Sequence, residues 1–567
     1  MQTNKVYKIT LFGEFMKQLL ILALLSLSLI SCKTTGQVYE ADIIVYGDTS
    51  GGVAAAVQSS RMGKSVILIS QYGHLGGLTS SGLGWSDIGN DAILGGIARE
   101  FYQRLYKHYQ KAEAWKWEKQ SEFKNLGQGV PALNPKTELA STFEPKVAET
   151  VFDEMAKEAE VKIVYGRLDL KNGVLKNGKK ISTLKLEDGS LLKGKMFIDA
   201  SYEGDLLPGS GVSFVIGRES NSQYDESGNG NTGVARKNQL PRGIDPYNIK
   251  GDKNSGLLKG VNPDLGGQKG DGDHRLQAYC YRMVLTNVPE NRVMVSKPKN
   301  YDEKDYEILF RAIEVGFRGG FFKLSPMPNH KTDSNNTGGI STDFIGGNYG
   351  KDWNWATLNH DEREALAAKH RDWQLGLIWT LQNHPRVPEN LRARHAPWGL
   401  AKDEFQDNGN WPYNLYVREA RRMKSGFVMT EAHCKNQKPV IDPIGMGAYT
   451  LDSHNTQRVV YDGMVRNEGD IQTYLRGKAY GISYRSIIPE ADECENLFVP
   501  WALSATHIAF GSIRMEPVFM ILSQSAATAA SMAIDGKKSV QEVKYSDLSK
   551  ILIKDGQKLS TSADKKE

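Results

Sequence analysis

Apolar residues gather along this chain in short unbroken runs, each ending at a turn and followed by stretches in which they recur every three or four positions. Ile43-Ile44-Val45-Tyr46 and Val66-Ile67-Leu68-Ile69 are two such runs, and an unbroken apolar run of this length reads as a strand buried on both faces. Between them, residues 53–57 are small and apolar, which suits a helix lying close against the strands. The unit spans about 30 residues, the length of a parallel strand–helix–strand crossover. Helical periodicity returns over 146–159, 359–382 and 415–427, and strands are expected at 161–164, 278–286, 196–200 and 497–499. Lys176-Asn177-Gly178 and Asp188-Gly189 mark hairpin turns. Pro517 falls where proline opens a helix, here one running on to Ile534. The segment 218–275, rich in Gly, Asn, Asp and Lys, reads as a long surface loop, with Asp271-Gly272-Asp273 as turn residues.

The turn between the first strand and the first helix is Gly47-Asp48-Thr49-Ser50-Gly51-Gly52. Amides at a helix start have no acceptor inside the helix, so they and the helix dipole can hold a pyrophosphate. The match to G-x-G-x-x-G is incomplete: Thr49 stands at the second glycine, and Ser70-Gln71 stand where an acidic residue meets the ribose. On these residues alone a ligand-free strand–turn–helix stays open. A serine-protease reading of the turn fails, because Thr49 separates Asp48 from Ser50 and the segment opens a helix.

The 567 residues exceed one small domain, and two intimately associated domains are expected. With 71 basic and 66 acidic residues the net charge is +5, and no basic block is interleaved with aromatics. Nucleic acid is therefore not the expected partner; a small molecule is. Residues 16–32, with Lys17 ahead of an apolar run ending in Leu29-Ile30-Ser31-Cys32, resemble a bacterial lipoprotein signal. That implies lipidation at Cys32, a start at Met16, and a Gram-negative envelope location held to the membrane by the anchor. The run is too short for a transmembrane helix. Cys280, Cys434 and Cys494 show no C-x-x-C spacing, so no metal site is expected and they read as buried thiols. Trp353, Trp355, Trp373, Trp379, Trp398 and Trp411 fall within 335–425, either as core or as platforms for sugar rings.

Three further stretches carry a resemblance. Gly73-His74-Leu75-Gly76-Gly77-Leu78-Thr79 follows the second strand, and Phe197-Ile198-Asp199-Ala200-Ser201-Tyr202-Glu203-Gly204-Asp205 ends a later one. Near the C-terminus come Asp452-Ser453-His454-Asn455 and the run from Leu503 to Pro517 that includes His507, Ser512 and Arg514. With the Gly47 turn, these resemble an FAD-dependent oxidoreductase whose flavin fold is shared with fumarate reductase and heterodisulfide reductase subunits. The resemblance implies an α/β protein: a Rossmann-like FAD-binding domain of the glutathione-reductase type with an inserted α+β substrate or cap domain. The FAD-binding parts are 40–90, 141–217 and 481–540, with a helical cap segment at 91–140, the insertion at 218–480 and a tail at 541–567. It places FAD against Gly47, Thr49, Ser50, Gly51, Gly52, Ser70, Gln71, His74, Gly76, Gly77, Ala200, Ser201 and Ser512. Where the family has Glu, this chain has Ser70.

Oxidising an alcohol needs a base for the hydroxyl proton and a pocket that fixes the carbinol C–H. His507 and His454 are the candidate bases, and Arg514 ahead of the last long helix is placed to oppose charge gained on reduction. His74 on the cofactor loop is a candidate for contact with, or attachment to, the flavin. The expected activity is oxidation of a hydroxyl on a small or sugar-like substrate, with the electron acceptor open. A glycan-binding lipoprotein and a polysaccharide lyase are the alternatives.

Overall fold

A computed structural model describes residues 36–345 and 355–560. The lipidation site Cys32, the proposed start Met16 and Trp353 lie outside the described residues.

The predicted crossover is present. Strand β1 (Val38–Tyr46), helix α1 (Ser50–Arg61) and strand β2 (Val66–Ser70) form the unit, and β1 and β2 pair in parallel with Ile43 opposite Val66. Helix α2 (Pro145–Glu158) and strand β3 (Lys162–Tyr165) extend it, followed by β4 (Val174–Asn177), β5 (Lys180–Lys185) and β6 (Leu191–Asp199). The sheet order is β3-β2-β1-β6-β5-β4. The hairpin turns fall at Gly178 and Gly189, both with positive φ, as the Asn-Gly and Asp-Gly pairs imply.

Strand β6 is shared along its length. Its first residues, Leu191–Lys193, pair antiparallel with β5, whereas Phe197 and Ile198 pair in parallel with Leu497 and Phe498. A segment about 300 positions away in sequence thus completes the parallel core, whose centre is the buried apolar runs at residues 43–46, 66–69, 196–198 and 497–498. The three stretches expected to build the cofactor domain contribute to this one sheet.

Further along come β7 (Phe214–Ile216), helix α3 (His360–Asn383), β8 (Arg421–Met423), β9 (Leu497–Phe498), and helices α4 (His507–Ile513) and α5 (Glu516–Gly536). A separate five-stranded antiparallel sheet includes Met283–Thr286, Lys331–Ser334 and Gly399–Ala401. Helix α5 is long and apolar enough to cross a membrane, but it is buried against α1 and the sheet. Gly51 permits that contact: a Cβ there would lie 2.4 Å from the Phe519 ring.

Two expectations are corrected. Residues 415–427 are not a helix; Arg421–Met423 form β8, paired with β7. Arg418, Arg421 and Arg422 are buried in ion pairs with Asp343, Asp205 and Glu219 respectively, partners that reach them only when the chain is extended. Residues 218–275 are not simply a surface loop, since Arg218 is fully enclosed and bonded to both Asp273 and Glu468. Removing one partner of such a buried pair costs about 3–5 kcal/mol. Cys280, Cys434 and Cys494 are buried free thiols. Trp355, Trp373 and Trp411 are at most 8% exposed, so each is mainly a core residue.

Candidate active site

The turn after β1 is shaped by close approach. Gly47 has φ +113°, and a Cβ there would lie 2.5 Å from the Ala200 carbonyl oxygen, so only glycine fits. A Cβ at Gly52 would lie 1.8 Å from the Gly47 carbonyl. Thr49, the departure from the glycine pattern, is folded back: its hydroxyl donates to Ala200 O at 2.8 Å and accepts from the Gly52 amide at 3.0 Å. Its side chain is thereby tied down as the helix N-cap. The backbone of Thr49 bridges to Gly76, which with Gly77 has positive φ. The turn keeps a tight backbone at the start of a helix, the setting in which a pyrophosphate is held.

A groove of about 1080 Å³ opens at the C-terminal edge of β1 and β2. Gly47, Asp48, Thr49, Gln71, Tyr72 and Ser201 line one side, and α3 with residues 411–415 and Val417 lines the other. This is the position expected for a ligand in an open α/β sheet, beyond the carboxyl ends of the strands. Asp48 was not singled out from the sequence. Its Oδ2 accepts from Ser70 Oγ at 2.7 Å and from the Tyr72 amide at 3.0 Å, so a carboxylate stands at the end of β2 although residue 70 is serine. Burial raises its pKa, against those hydrogen bonds. The signal was present in the sequence: an acid inside the glycine turn, one crossover from a serine.

Glu516, the first residue of α5, was also missed. Ser50 Oγ donates to it at 2.6 Å, Thr79 Oγ1 at 2.7 Å and the Tyr202 hydroxyl at 3.0 Å. The glycine turn and the last long helix therefore meet directly. Burial pushes the Glu516 carboxyl up to about 6 against those three hydrogen bonds. The folded protein then holds a proton that an unfolded chain, with its carboxyl at 4.5, releases, so stability falls as pH rises through that window. Glu516→Gln should be more stable than the parent by about 2 kcal/mol above the window, with no difference below it; urea melts at several pH values measure this.

A second, polar cavity of about 1290 Å³ is lined by Asp87, Arg282, Tyr416, Tyr449, Asp452 and His454, among others. Groove and cavity share a wall. Residues 280–282 run beside 415–417, with the Tyr416 amide bonded to Cys280 O at 2.9 Å. Successive side chains of an extended segment point to opposite faces. Accordingly Tyr281, Leu415 and Val417 line the groove, and Arg282 and Tyr416 line the cavity.

His454 sits in the cavity between two carboxylates, with Nδ1 3.0 Å from Asp343 and Nε2 3.4 Å from Asp452. Burial alone would raise both acids, but Arg418 and His454 hold Asp343, and His454 and Arg514 hold Asp452, down to about 2. Arg514 donates to Asp452 at 2.8 Å and to the Tyr416 hydroxyl at 2.8 Å.

The remaining expected residues are placed elsewhere. His507 is 1% exposed, with Nδ1 2.7 Å from Glu419 and Nε2 3.0 Å from Ser453, and lines neither the groove nor the cavity. Ser512 is buried, donating to Tyr449 O at 2.5 Å and bonded to the Tyr480 hydroxyl at 2.6 Å. His74 faces Glu149 and Asp407 and stacks on Tyr413 at 3.5 Å. Ser50 and Gly51 face α5, Ser70 backs Asp48, and Ala200 anchors Thr49. Among the described residues no cluster of His, Cys, Asp or Glu is arranged to hold a metal ion.

No curated protein matches the chain. Among solved structures, the L-amino acid deaminase from Proteus vulgaris is 17% identical over 33% of this chain and 54% of its own, at a TM-score of 0.22. The myxobacterial chondrochloren halogenase CndH is 15% identical over 32% of this chain and 41% of its own, at 0.23. A flavin-containing monooxygenase from Stenotrophomonas maltophilia is 13% identical over 28% and 38%, at 0.17. The chain thus spans at most 54% of each of these proteins, and none supports a statement about substrate. The family described as FAD dependent oxidoreductase matches residues 42–552, nearly all of the chain. This protein belongs to the FAD dependent oxidoreductase family, and its cofactor is FAD.

Proposed function

We propose that this enzyme oxidises a hydroxyl group of a small, sugar-like substrate held in the polar cavity. The observation that carries the reading is His454, an imidazole lining that cavity and oriented by two ionised carboxylates. FAD, when bound, supplies the acceptor for the hydride. The Gly47 turn and the start of α1 would hold its pyrophosphate, and Asp48, in place of the family's Glu at position 70, would accept from the ribose hydroxyls. His454 takes the hydroxyl proton at Nε2, which turns from Asp452 at 3.4 Å to the substrate, while Asp343 holds Nδ1–H at 3.0 Å and both carboxylates stabilise the imidazolium that results. Arg514 keeps Asp452 ionised and fixes Tyr416 in the wall. His507 we assign to positioning: through Ser453 and Glu419 it anchors the start of α4 beside the His454 segment.

The wall between groove and cavity adds a requirement. With FAD held in the groove and substrate in the cavity, the wall formed by residues 280–282 and 415–417 would have to open between them. Hydrogen exchange at the Tyr416 amide should change on adding FAD, and unchanged exchange there counts against the arrangement.

Location in a Gram-negative envelope through a lipid at Cys32, and kinship with the flavin subunits of fumarate reductase and heterodisulfide reductase, belong to the same proposal. The activity is tested by mixing the FAD-loaded protein anaerobically with sugars and hydroxy acids. Bleaching of the flavin by a hydroxylated compound supports oxidation. An unsaturated sugar product without bleaching points to a lyase, and sugar binding with no flavin points to a glycan-binding protein.

A further inference from the structure

A third cavity, of about 1290 Å³, lies away from the groove and is lined by Tyr301, Tyr306, Trp373, Asn300, Asp372 and Arg458. Arg458 is the unusual member. It is 8% exposed and donates from Nη2 to Ile340 O at 2.9 Å, while its buried Nε has no acceptor. Among the described residues it forms no ion pair with a carboxylate. Asp343 acts on it through space but is already engaged by Arg418 at 2.9 Å and His454 at 3.0 Å. Burial pushes Arg458 down to about 10, so it stays charged at neutral pH. A buried guanidinium without a counter-charge is unfavourable by itself, whereas a planar fork of donors suits a bidentate carboxylate.

The other walls narrow the class of anion. Tyr301 and Tyr306 stack with centroids 5.1 Å apart and an interplanar angle of 14°, and Trp373 lies 6.4 Å from Tyr306 at 18°. These rings spend their faces on one another, so it is their edges that give the cavity an apolar side against which the C–H groups of a saturated ring can lie. Asn300 donates to Asp372 at 2.9 Å, a side-chain amide and carboxylate at the rim able to bond hydroxyl groups. We propose that this cavity is a second binding site, for a hydroxylated ring carrying a carboxylate, that is a sugar acid, with the carboxylate on Arg458 and the ring on the aromatic wall. The site is separate from the chemistry assigned to His454 and holds whether or not that assignment stands.

The test is calorimetry on the FAD-loaded full chain with glucuronate, its methyl ester, glucose and benzoate as probes. Glucuronate should bind at least tenfold more tightly than the ester or glucose, and more tightly than benzoate. Arg458→Met should weaken glucuronate at least tenfold while leaving the flavin spectrum and the ligand-free melting temperature undiminished, since it removes an uncompensated charge. Trp373→Leu should also weaken it, and His454→Gln should not. The inference is overturned if glucuronate does not bind, if ester or benzoate binds equally well, if Arg458→Met leaves affinity intact, or if that variant melts lower than the parent.

Discussion

Replacing His454 by glutamine lowers the rate of flavin reduction by substrate by about 10²–10⁴-fold while the protein still binds FAD, the range for losing a positioned general base. Glutamine is the informative substitution because it can still bond to Asp343 and Asp452. Both acids owe part of their ionisation to His454, and an apolar residue would leave two buried carboxylates short of a partner. Rapid mixing under anaerobic conditions separates the reductive step from FAD binding, which is read from the visible spectrum. His507→Gln distinguishes the two histidines. Enclosed between Glu419 and Ser453, His507 should affect thermal stability and leave the reductive step within about tenfold of the parent. A collapse of the reductive step in His507→Gln with normal rates in His454→Gln would reverse the assignment.

Asp48→Asn should weaken FAD by about 10- to 150-fold in Kd, corresponding to the roughly 1.5–3 kcal/mol of a hydrogen bond to a charged group. FMN, which has no adenosine half, should bind the variant and the parent equally. Residue 70 provides the rescue. Asp48→Ala combined with Ser70→Glu returns a carboxylate to the end of β2, where Ser70 Oγ now bonds Asp48. Recovery of FAD affinity in the double variant shows that the charge at that place matters, whereas a purely structural role for Asp48 would leave the double variant weaker still. Equal loss of FMN and FAD would mean that Asp48 shapes the turn and does not meet the ribose.

The parts of the fold legible in the sequence are those whose structure is decided locally. Residues 43–46 and 66–69 announce buried parallel strands through unbroken apolar runs, Asp188-Gly189 announces a hairpin, and Pro517 announces the start of α5. Residues 415–427 form no helix although Arg418, Arg421 and Arg422 fall at helical spacing, and the ion pairs such charges suggest are present. Their partners Asp205, Glu219 and Asp343 lie far away in sequence, and only an extended path delivers Arg418, Arg421 and Arg422 to them. The cofactor turn was legible through Gly47 and Gly52, yet the compensation for Ser70 was not, since it depends on Asp48 turning across the crossover. As motif residues both histidines are candidate bases, with His507 the first choice. What separates them is burial, and burial of His507 is set by Glu419 and Ser453 from other segments.

The central claim is that the groove at Gly47, Asp48 and Ser201 holds one FAD. Incubating the purified protein with FAD, removing excess, and recording the visible spectrum with the flavin-to-protein ratio tests it most directly. One equivalent of bound FAD, lost in Gly47→Ala because a Cβ has no room against Ala200, is the predicted result. A colourless protein after incubation, or full flavin retention in Gly47→Ala, would contradict it.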